Sequence, residues 1–282
     1  MPQEQRLLNA NPAPLEIGRR GPGAPADVWG ALVDHTARIA RDEPLLTALA
    51  RHWILSKPDF PAALGAMLAD KMACAMTPRD TLAELIAQAI LDEPDIAQAT
   101  LADLAAILER DPAVNGPAHP FMFFKGFQAL QVHRIAHHLW HAGRHDAALF
   151  FQSRSSEVFA VDIHPAAPLG RGVMLDHGTG LVVGETASIG NDVSILQKVT
   201  LGGTGKETGD RHPKVRDGVL LSAGAIVLGN IEIGRNAKVG AGSVVLHDVP
   251  PCATVAGVPA RIVGWCKKGA PSLSMDHELP ES

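Results

Sequence analysis

The chain has 282 residues, 46% of them hydrophobic and 20% charged, with a formal net charge of −5. That length accommodates one large domain or two ordinary ones, and the negative balance argues against the basic face that a nucleic-acid partner requires. No apolar run approaches the length of a membrane span and the first residues lack the pattern of a secretion signal, so a cytoplasmic protein with no membrane contact is expected.

Residues 1–25 are rich in Pro, Gly and Arg and are expected to form a flexible tail. From Ala26 to Phe159 the chain is Ala- and Leu-rich with helical spacing. In TPRDTLAELIAQAILDE, Thr77 stands as the cap and Pro78 at the first helical position, and Leu82, Leu85, Ile86 and Ile90 share one stripe. DIAQATLADLAAILERD repeats the pattern and stops at Asp111-Pro112, because proline disfavours helical backbone in the residue before it. FKGFQALQVHRIAHHLWHAGRHDAALFFQSR supplies one or two further helices. Within it His133, His137 and His141 recur every four residues, a spacing that can hold zinc. No HExxH sequence accompanies them, so packing and surface roles are expected and no metal.

Near residue 160 the helical spacing stops and a period of six begins. Branched aliphatics fall at Ile163, Leu169 and Leu175; in a second register at Val183, Ile189, Ile195 and Leu201; and in a third at Val215, Leu221, Val227, Ile233, Val239 and Val245. Each unit reads as a short strand and a turn with its aliphatic pointing inward. No unit buries that side chain alone, so the units must stack into a solenoid. The register slips twice. The first slip, of two residues, lies between Leu175 and Val183 and contains Asp176, His177 and Gly178; the second lies between Leu201 and Val215 and contains GGTGKETGDRHPK. Insertions in solenoids collect on binding faces. Cys74, Cys252 and Cys266 have no metal-type spacing and are expected to be reduced thiols.

His177 is the first candidate for chemistry. It sits in a register break beside an acid, and an imidazole can take a proton from a hydroxyl near neutral pH. A carboxylate on the other ring nitrogen would fix its tautomer. Asp176 is adjacent in sequence; Asp162 lies fifteen residues back, close to one coil, and could reach His177 from the neighbouring rung. His164, beside the inward Ile163, reads equally as a packed or a functional histidine. Arg211 and His212 offer a carboxylate-matching fork and a second imidazole on the long insertion. The glycines of LGGTGK lack P-loop spacing and context and suit backbone approach to an extended ligand or amide donors for an oxyanion.

Read together, RDPAV, KGFQALQVHRIAH, VDIHPAAPLGRGVMLDHGTGLVVGETASIGNDVSILQKVTLGGTG, DRHPKVRDGV, GNIEIGRNAKVGAGSVVL and AGVPARIVG resemble the serine O-acetyltransferases over residues 26 to 265. That family belongs to the hexapeptide-repeat acyltransferases. The resemblance implies an α-helical domain over 26–159, a left-handed parallel β-helix over 160–265 and a C-terminal tail over 266–282. It implies acetyl transfer from acetyl-CoA to the hydroxyl of L-serine, the first step of cysteine biosynthesis, with no permanently bound cofactor. His177 matches the family's general base and Asp162 its carboxylate partner. Asp111 and Asp176 match acids of the serine pocket, Arg211 the residue that holds the serine carboxylate with His212 beside it, and Glu185 a further acidic position. Gly203, Ala223 and Lys238 match places where coenzyme A runs along the β-helix.

The resemblance also implies homotrimers, paired into hexamers through the helical domains, and feedback inhibition by L-cysteine at the serine site. Many members end in an isoleucine that enters O-acetylserine sulfhydrylase. This sequence ends SMDHELPES without that isoleucine, so a stable complex of this kind is not expected. Two rival readings use the same repeat. One is acetyl transfer to a sugar or another hydroxy amino acid. The other is a γ-type carbonic anhydrase, whose close histidine pair is missing from the set His164, His177, His212 and His247.

Overall fold

A computed structural model describes residues 26–205, 208–266 and 269–279; the expectations for residues 1–25 and for the terminal residues 280–282 lie outside them. The chain opens with helices α1 (Ala26–Asp42), α2 (Thr47–Ala50), α3 (Phe60–Met72), α4 (Arg79–Asp92), α5 (Asp95–Arg110), α6 (Ala118–Phe123), α7 (Lys125–His141) and α8 (His145–Phe159). The stripe expected on α4 is the packed one: Leu82, Ile86 and Ile90 are buried and Leu85 is partly so. Its start differs. The residue at the cap is Pro78, with no side-chain capping bond, because Thr77 is drawn into a reciprocal backbone bridge with Cys74, 3.1 Å each way.

Strands follow at once: β1 (Val161–Ile163), β2 (Met174–Leu175), β3 (Leu181–Val183), β4 (Ser188–Ile189), β5 (Ser194–Ile195), β6 (Thr200–Gly202), β7 (Lys214–Val215), β8 (Leu220–Leu221), β9 (Ile226–Leu228), β10 (Glu232–Ile233), β11 (Lys238–Val239), β12 (Val244–Val245), β13 (Ala253–Gly257) and β14 (Ala260–Trp265). They stack as three parallel faces, β1-β3-β6-β9-β12, β4-β7-β10 and β2-β5-β8-β11-β13, with β14 antiparallel at the end of the last. The six-residue period is the edge of this prism. Ile163, Val183, Leu201, Val227 and Val245 lie above one another, as do Leu175, Ile195, Leu221 and Val239. Twelve of the thirteen aliphatics are buried, and Leu169, on the first coil, is partly so. Each buried aliphatic contributes about 1.5–3 kcal/mol, and truncating one to alanine leaves a cavity costing about 2–5 kcal/mol.

The corners need left-handed backbone, and one column of corners shows it in Gly172, Asp192, Gly218, Asn236 and Cys252, all with positive φ. Each of the last four donates its amide to the residue before the corner beneath it. Cys252 is therefore a corner residue. Beside it, β13 and β14 pair antiparallel with Ala253 opposite Trp265, which brings Cys252 and Cys266 into a disulfide with Cα atoms 5.0 Å apart. The expectation of three reduced thiols is corrected for this pair, since the hairpin that joins them is invisible in their spacing.

The helical and coiled parts share one hydrophobic core and a buried polar seam. Asp103 of α5 is fully buried. Its Oδ2 accepts from Arg134 Nε and Nη2 of α7 at 2.9 and 2.7 Å, and its Oδ1 from the Val173 amide at 2.9 Å. Arg110 reaches Asp192 and Ser194 at 3.1 and 3.2 Å. Buried charges cost several kcal/mol unless bonded. Asp103 is bonded through both oxygens and Arg110 through both terminal nitrogens, while Arg110 Nε has no partner among the described residues. These ties set the register of helices on coil. The first turn of α7 presses on the coil at Gly126, where a Cβ would collide with the Leu175 carbonyl.

Candidate active site

The first register break resolves to two residues. Leu175 pairs with Ile195 and Val183 with Leu201, so eight residues on one coil face six on the next. The flanking hydrogen bonds locate the excess. Asp176 donates to Ile195 O as Leu196 donates to Leu221 O, and Lys198 donates to Thr179 O as Gly224 donates to Gln197 O. The supernumerary residues are His177 and Gly178. Both have positive φ, 57° and 71°; for histidine this is a conformation that costs about 1 kcal/mol or more and concentrates at functional sites. His177 is lifted out of the stack, with 74% of its side chain exposed, and its Nε2 is 3.9 Å from Asp176 Oδ1.

Asp162 lies on β1, whose partner β3 begins just past the His177 loop. Its carboxylate projects outward between the buried Val161 and Ile163 and accepts from Gln152 Nε2 of α8 at 2.7 Å. Among the described residues, Asp176 and not Asp162 is the carboxylate within 4.0 Å of His177.

The second break, between β6 and β7, folds back over the coil corner after β3. Its hub is Thr186. The Thr186 hydroxyl accepts from the Arg211 and His212 amides at 3.0 and 3.1 Å and bonds His212 Nδ1 at 2.8 Å, to which the Thr186 amide also donates at 3.2 Å. Nδ1 is thus the acceptor and Nε2 carries the proton. Burial holds the His212 pKa below the ordinary imidazole value, and the Arg211 charge lowers it further. Arg211 Nη2 donates to Glu185 Oε2 at 2.8 Å, and that bond holds the Glu185 carboxyl below its usual range. Lys214 Nζ ties the loop's end to the Thr186 carbonyl at 2.6 Å. His164 stands in the same field, its pKa lowered by burial and raised in part by Glu185 and Asp162; its Nδ1 accepts from the Ala166 amide at 3.1 Å.

The other expected residues lie around these loops. Gly203 packs against Arg211, where a Cβ would meet that side chain at 3.5 Å. Asp111 follows α5, its Oδ1 accepting from the Ala113 amide at 2.9 Å; among the described residues no hydrogen bond or ion pair joins it to either loop. Lys238 is buried. Its Nζ donates to the carbonyls of Asp276 and Glu278 at 3.1 and 2.5 Å, while Ser222, next to Ala223, meets His277 Nδ1 at 3.4 Å. The C-terminal segment, with the short helix α9 (Pro271–Ser274), therefore lies along the β5-β8-β11 face. Sequence reasoning missed this cover, and it missed Thr186 and Gln152. Thr186 had a signal, being the hydroxyl next to Glu185 at a coil corner; Gln152 had none, because its partner lies across a helix–strand junction.

The three histidines of α7 work as ties to the first coil and to their own helix. His133 Nε2 meets Ala167 O at 3.0 Å, His137 Nδ1 meets Pro165 O at 2.7 Å, and His141 Nδ1 meets His137 O at 2.9 Å. Among the described residues no group of three or more His, Cys, Asp or Glu has the geometry of a metal site.

Comparison with known proteins gives the following. Residues 28–132 match the family described as serine acetyltransferase, N-terminal, and residues 212–247 the bacterial transferase hexapeptide (six repeats). The serine acetyltransferase of Escherichia coli K12 is 51% identical over 252 residues, 89% of this chain and 92% of that protein. A serine acetyltransferase solved in complex with cysteine superposes with a TM-score of 0.89 at 49% identity, covering 90% of this chain and 99% of that one. The Brucella abortus enzyme solved with coenzyme A gives 0.83 at 46% identity, covering 85% and 96%.

Proposed function

The chain belongs to the serine acetyltransferase family and is an acyltransferase built on the left-handed β-helix, and on that premise we propose that His177 activates the hydroxyl of L-serine for direct attack on acetyl-CoA, with Asp162 as its carboxylate partner. The observation that carries this is the insertion of His177 itself. A repeat that tolerates no excess residue elsewhere on this coil takes two extra ones here, in left-handed backbone, to hold one imidazole in the open beside the rung of Asp162.

The hydroxyl is a poor nucleophile until its proton is accepted during attack. His177 takes that proton and returns it to the departing thiolate. The tetrahedral oxyanion between these steps is met by an amide near Gly202 or Gly203. The carboxylate of serine pairs with Arg211, whose fork matches it bidentately, and the serine ammonium with Asp111 and Asp176. Cysteine has the same backbone groups, so inhibition by cysteine at this site follows, in keeping with the cysteine-bound relative. Coenzyme A runs past Gly203 and Ala223 to Lys238, which requires residues 276–278 to give up its ammonium group. Transfer is direct: Cys74 lies in the helical part and Cys252 and Cys266 are paired, so no thiol at the site carries the acetyl group. Trimers belong to the same reading, with Val182, 41% exposed beside Asp162, covered by a neighbouring coil.

The test is serine-dependent release of CoA thiol by wild type and by His177→Ala. Wild type releases thiol only with serine present. A burst of CoA without serine would refute direct transfer, and a sugar outperforming serine would refute the acceptor.

A further inference from the structure

We propose that Gln152 is a positioning residue for acetyl transfer, fixing the carboxylate of Asp162 so that one oxygen is held and the other is presented to His177. The inference rests on the reading of His177 and Asp162 as a pair.

Helix α8 ends where β1 begins, joined through Ala160 in left-handed backbone. Two side chains of α8 cross that junction. Ser155 Oγ donates to the Val161 carbonyl at 3.1 Å, pinning the strand, and Gln152 Nε2 donates to Asp162 Oδ1 at 2.7 Å, pinning the side chain. The amide assignment is forced by chemistry: an ionised carboxylate only accepts, so the glutamine presents its NH2 group. Among the described residues this is the hydrogen bond that the Asp162 carboxylate makes, and Oδ2 has no partner.

The two groups face one open, polar cavity of about 440 Å³ whose lining includes Ser153, Ser156 and Glu157. In such a groove an untethered carboxylate would sample several rotamers, each solvated. Support of an imidazolium depends on geometry as well as charge, because a carboxylate that points away orients nothing. A neutral amide is the suitable tether. A cationic donor in its place would compete with the imidazolium for the same charge.

Gln152→Leu removes the donor and keeps an apolar body on α8. Its kcat falls at least tenfold while KM for serine stays within twofold. The double variant Gln152→Leu/Asp162→Asn loses no more kcat than Asp162→Asn alone, since the glutamine acts through the aspartate. Gln152→Glu separates positioning from a plain structural tie. Two carboxyls at this distance share one proton, so the tie between α8 and β1 persists, but Asp162 supports the base only once that proton leaves. The acid limb of its kcat/KM profile moves up by a pH unit or more. A structural tie alone would leave the profile in place.

Wild-type kcat in Gln152→Leu, or an unshifted profile in Gln152→Glu, overturns the inference. If Gln152→Leu does not fold, the Gln152→Glu profile decides alone. Asp162→Asn locates any failure. If it keeps wild-type kcat, the His177–Asp162 pairing is wrong and the role of Gln152 falls with it; if it loses kcat while the Gln152 variants do not, only the role of Gln152 is wrong.

Discussion

The two interruptions of the coil are built on opposite principles. The break at His177 adds two residues whose backbone is tied through Gly178 to Asp176 and Leu181 but leaves the side chain unbonded among the described residues: the imidazole is exposed and its nearest carboxylate contact is 3.9 Å long. The break at Arg211 and His212 is much longer, yet its working side chains are already spoken for. Arg211 is bonded to Glu185, His212 to Thr186, and Lys214 to the Thr186 carbonyl. On the proposed mechanism, the group that exchanges a proton is left free to meet its substrate. The group proposed to recognise the substrate's charge is held in place beforehand, which lowers the ordering cost of binding.

The largest effect falls on the free group. His177→Ala is expected to lower kcat by about 10²–10⁴-fold, the usual span for a general base, while the unfolding free energy from chemical denaturation changes by less than about 0.5 kcal/mol, as for an exposed side chain. A comparable loss of stability would show that the loop depends on His177 and would erase the contrast between the two breaks.

The held loop predicts the reverse balance. Thr186→Val leaves the amides of Arg211 and His212 and the acceptor Nδ1 without their common partner, at a cost of about 1–3 kcal/mol. Thermal unfolding is expected to begin earlier and KM for serine to rise, with kcat less affected. Gly184→Ala probes the same loop by volume, because its Cβ would collide with the His212 ring. If both variants keep the wild-type KM, Arg211 does not recognise the substrate.

The contrast also marks where sequence reasoning reaches and where it ends. The coil is written in its aliphatics: a period of six fixes which residues stack, and a slip of that period places a two-residue excess between Leu175 and Val183, which the backbone hydrogen bonds then assign to His177 and Gly178. The short-range event at residues 176–178 is therefore readable from spacing. The disulfide, the cover on Lys238 and the bond from Gln152 to Asp162 are not, since each joins segments whose separation in sequence bears no relation to the repeat. Thr77 misled for a related reason. Its capping signature is local, but a backbone bridge to Cys74 claims it first.

Acid is expected to loosen the held loop. Burial lowers the pKa of folded His212, so as pH falls through the ordinary imidazole range near 6.5 the unfolded chain takes up the proton first. The stability that neutral His212 contributes is present above that range and is lost on acidification, since protonating Nδ1 removes the acceptor used by the Thr186 amide. Amide hydrogen exchange at Arg211 and His212, corrected for intrinsic rate, is expected to be faster at pH 5 than at pH 7. That pH dependence is expected to vanish in His212→Gln. Equal protection at both pH values in wild type would mean that the loop is held by its other bonds alone.

The smallest effect concerns Glu185, and its sign is informative. Glu185→Gln breaks a partly exposed ion pair, which costs only about 0.2–1 kcal/mol of stability. In the free protein that pair occupies the fork proposed to take the serine carboxylate. If Glu185 is a placeholder that steadies Arg211 until the substrate displaces it, removing the charge lowers KM for serine, by up to about fivefold if the whole pair energy is recovered. If Glu185 instead holds the serine ammonium itself, the same substitution raises KM. Initial rates across serine concentration at saturating acetyl-CoA distinguish the two. The first outcome makes the loop a preset clamp that exchanges one carboxylate for another. The second makes it a half-formed pocket whose arginine and glutamate each wait for one end of the same amino acid.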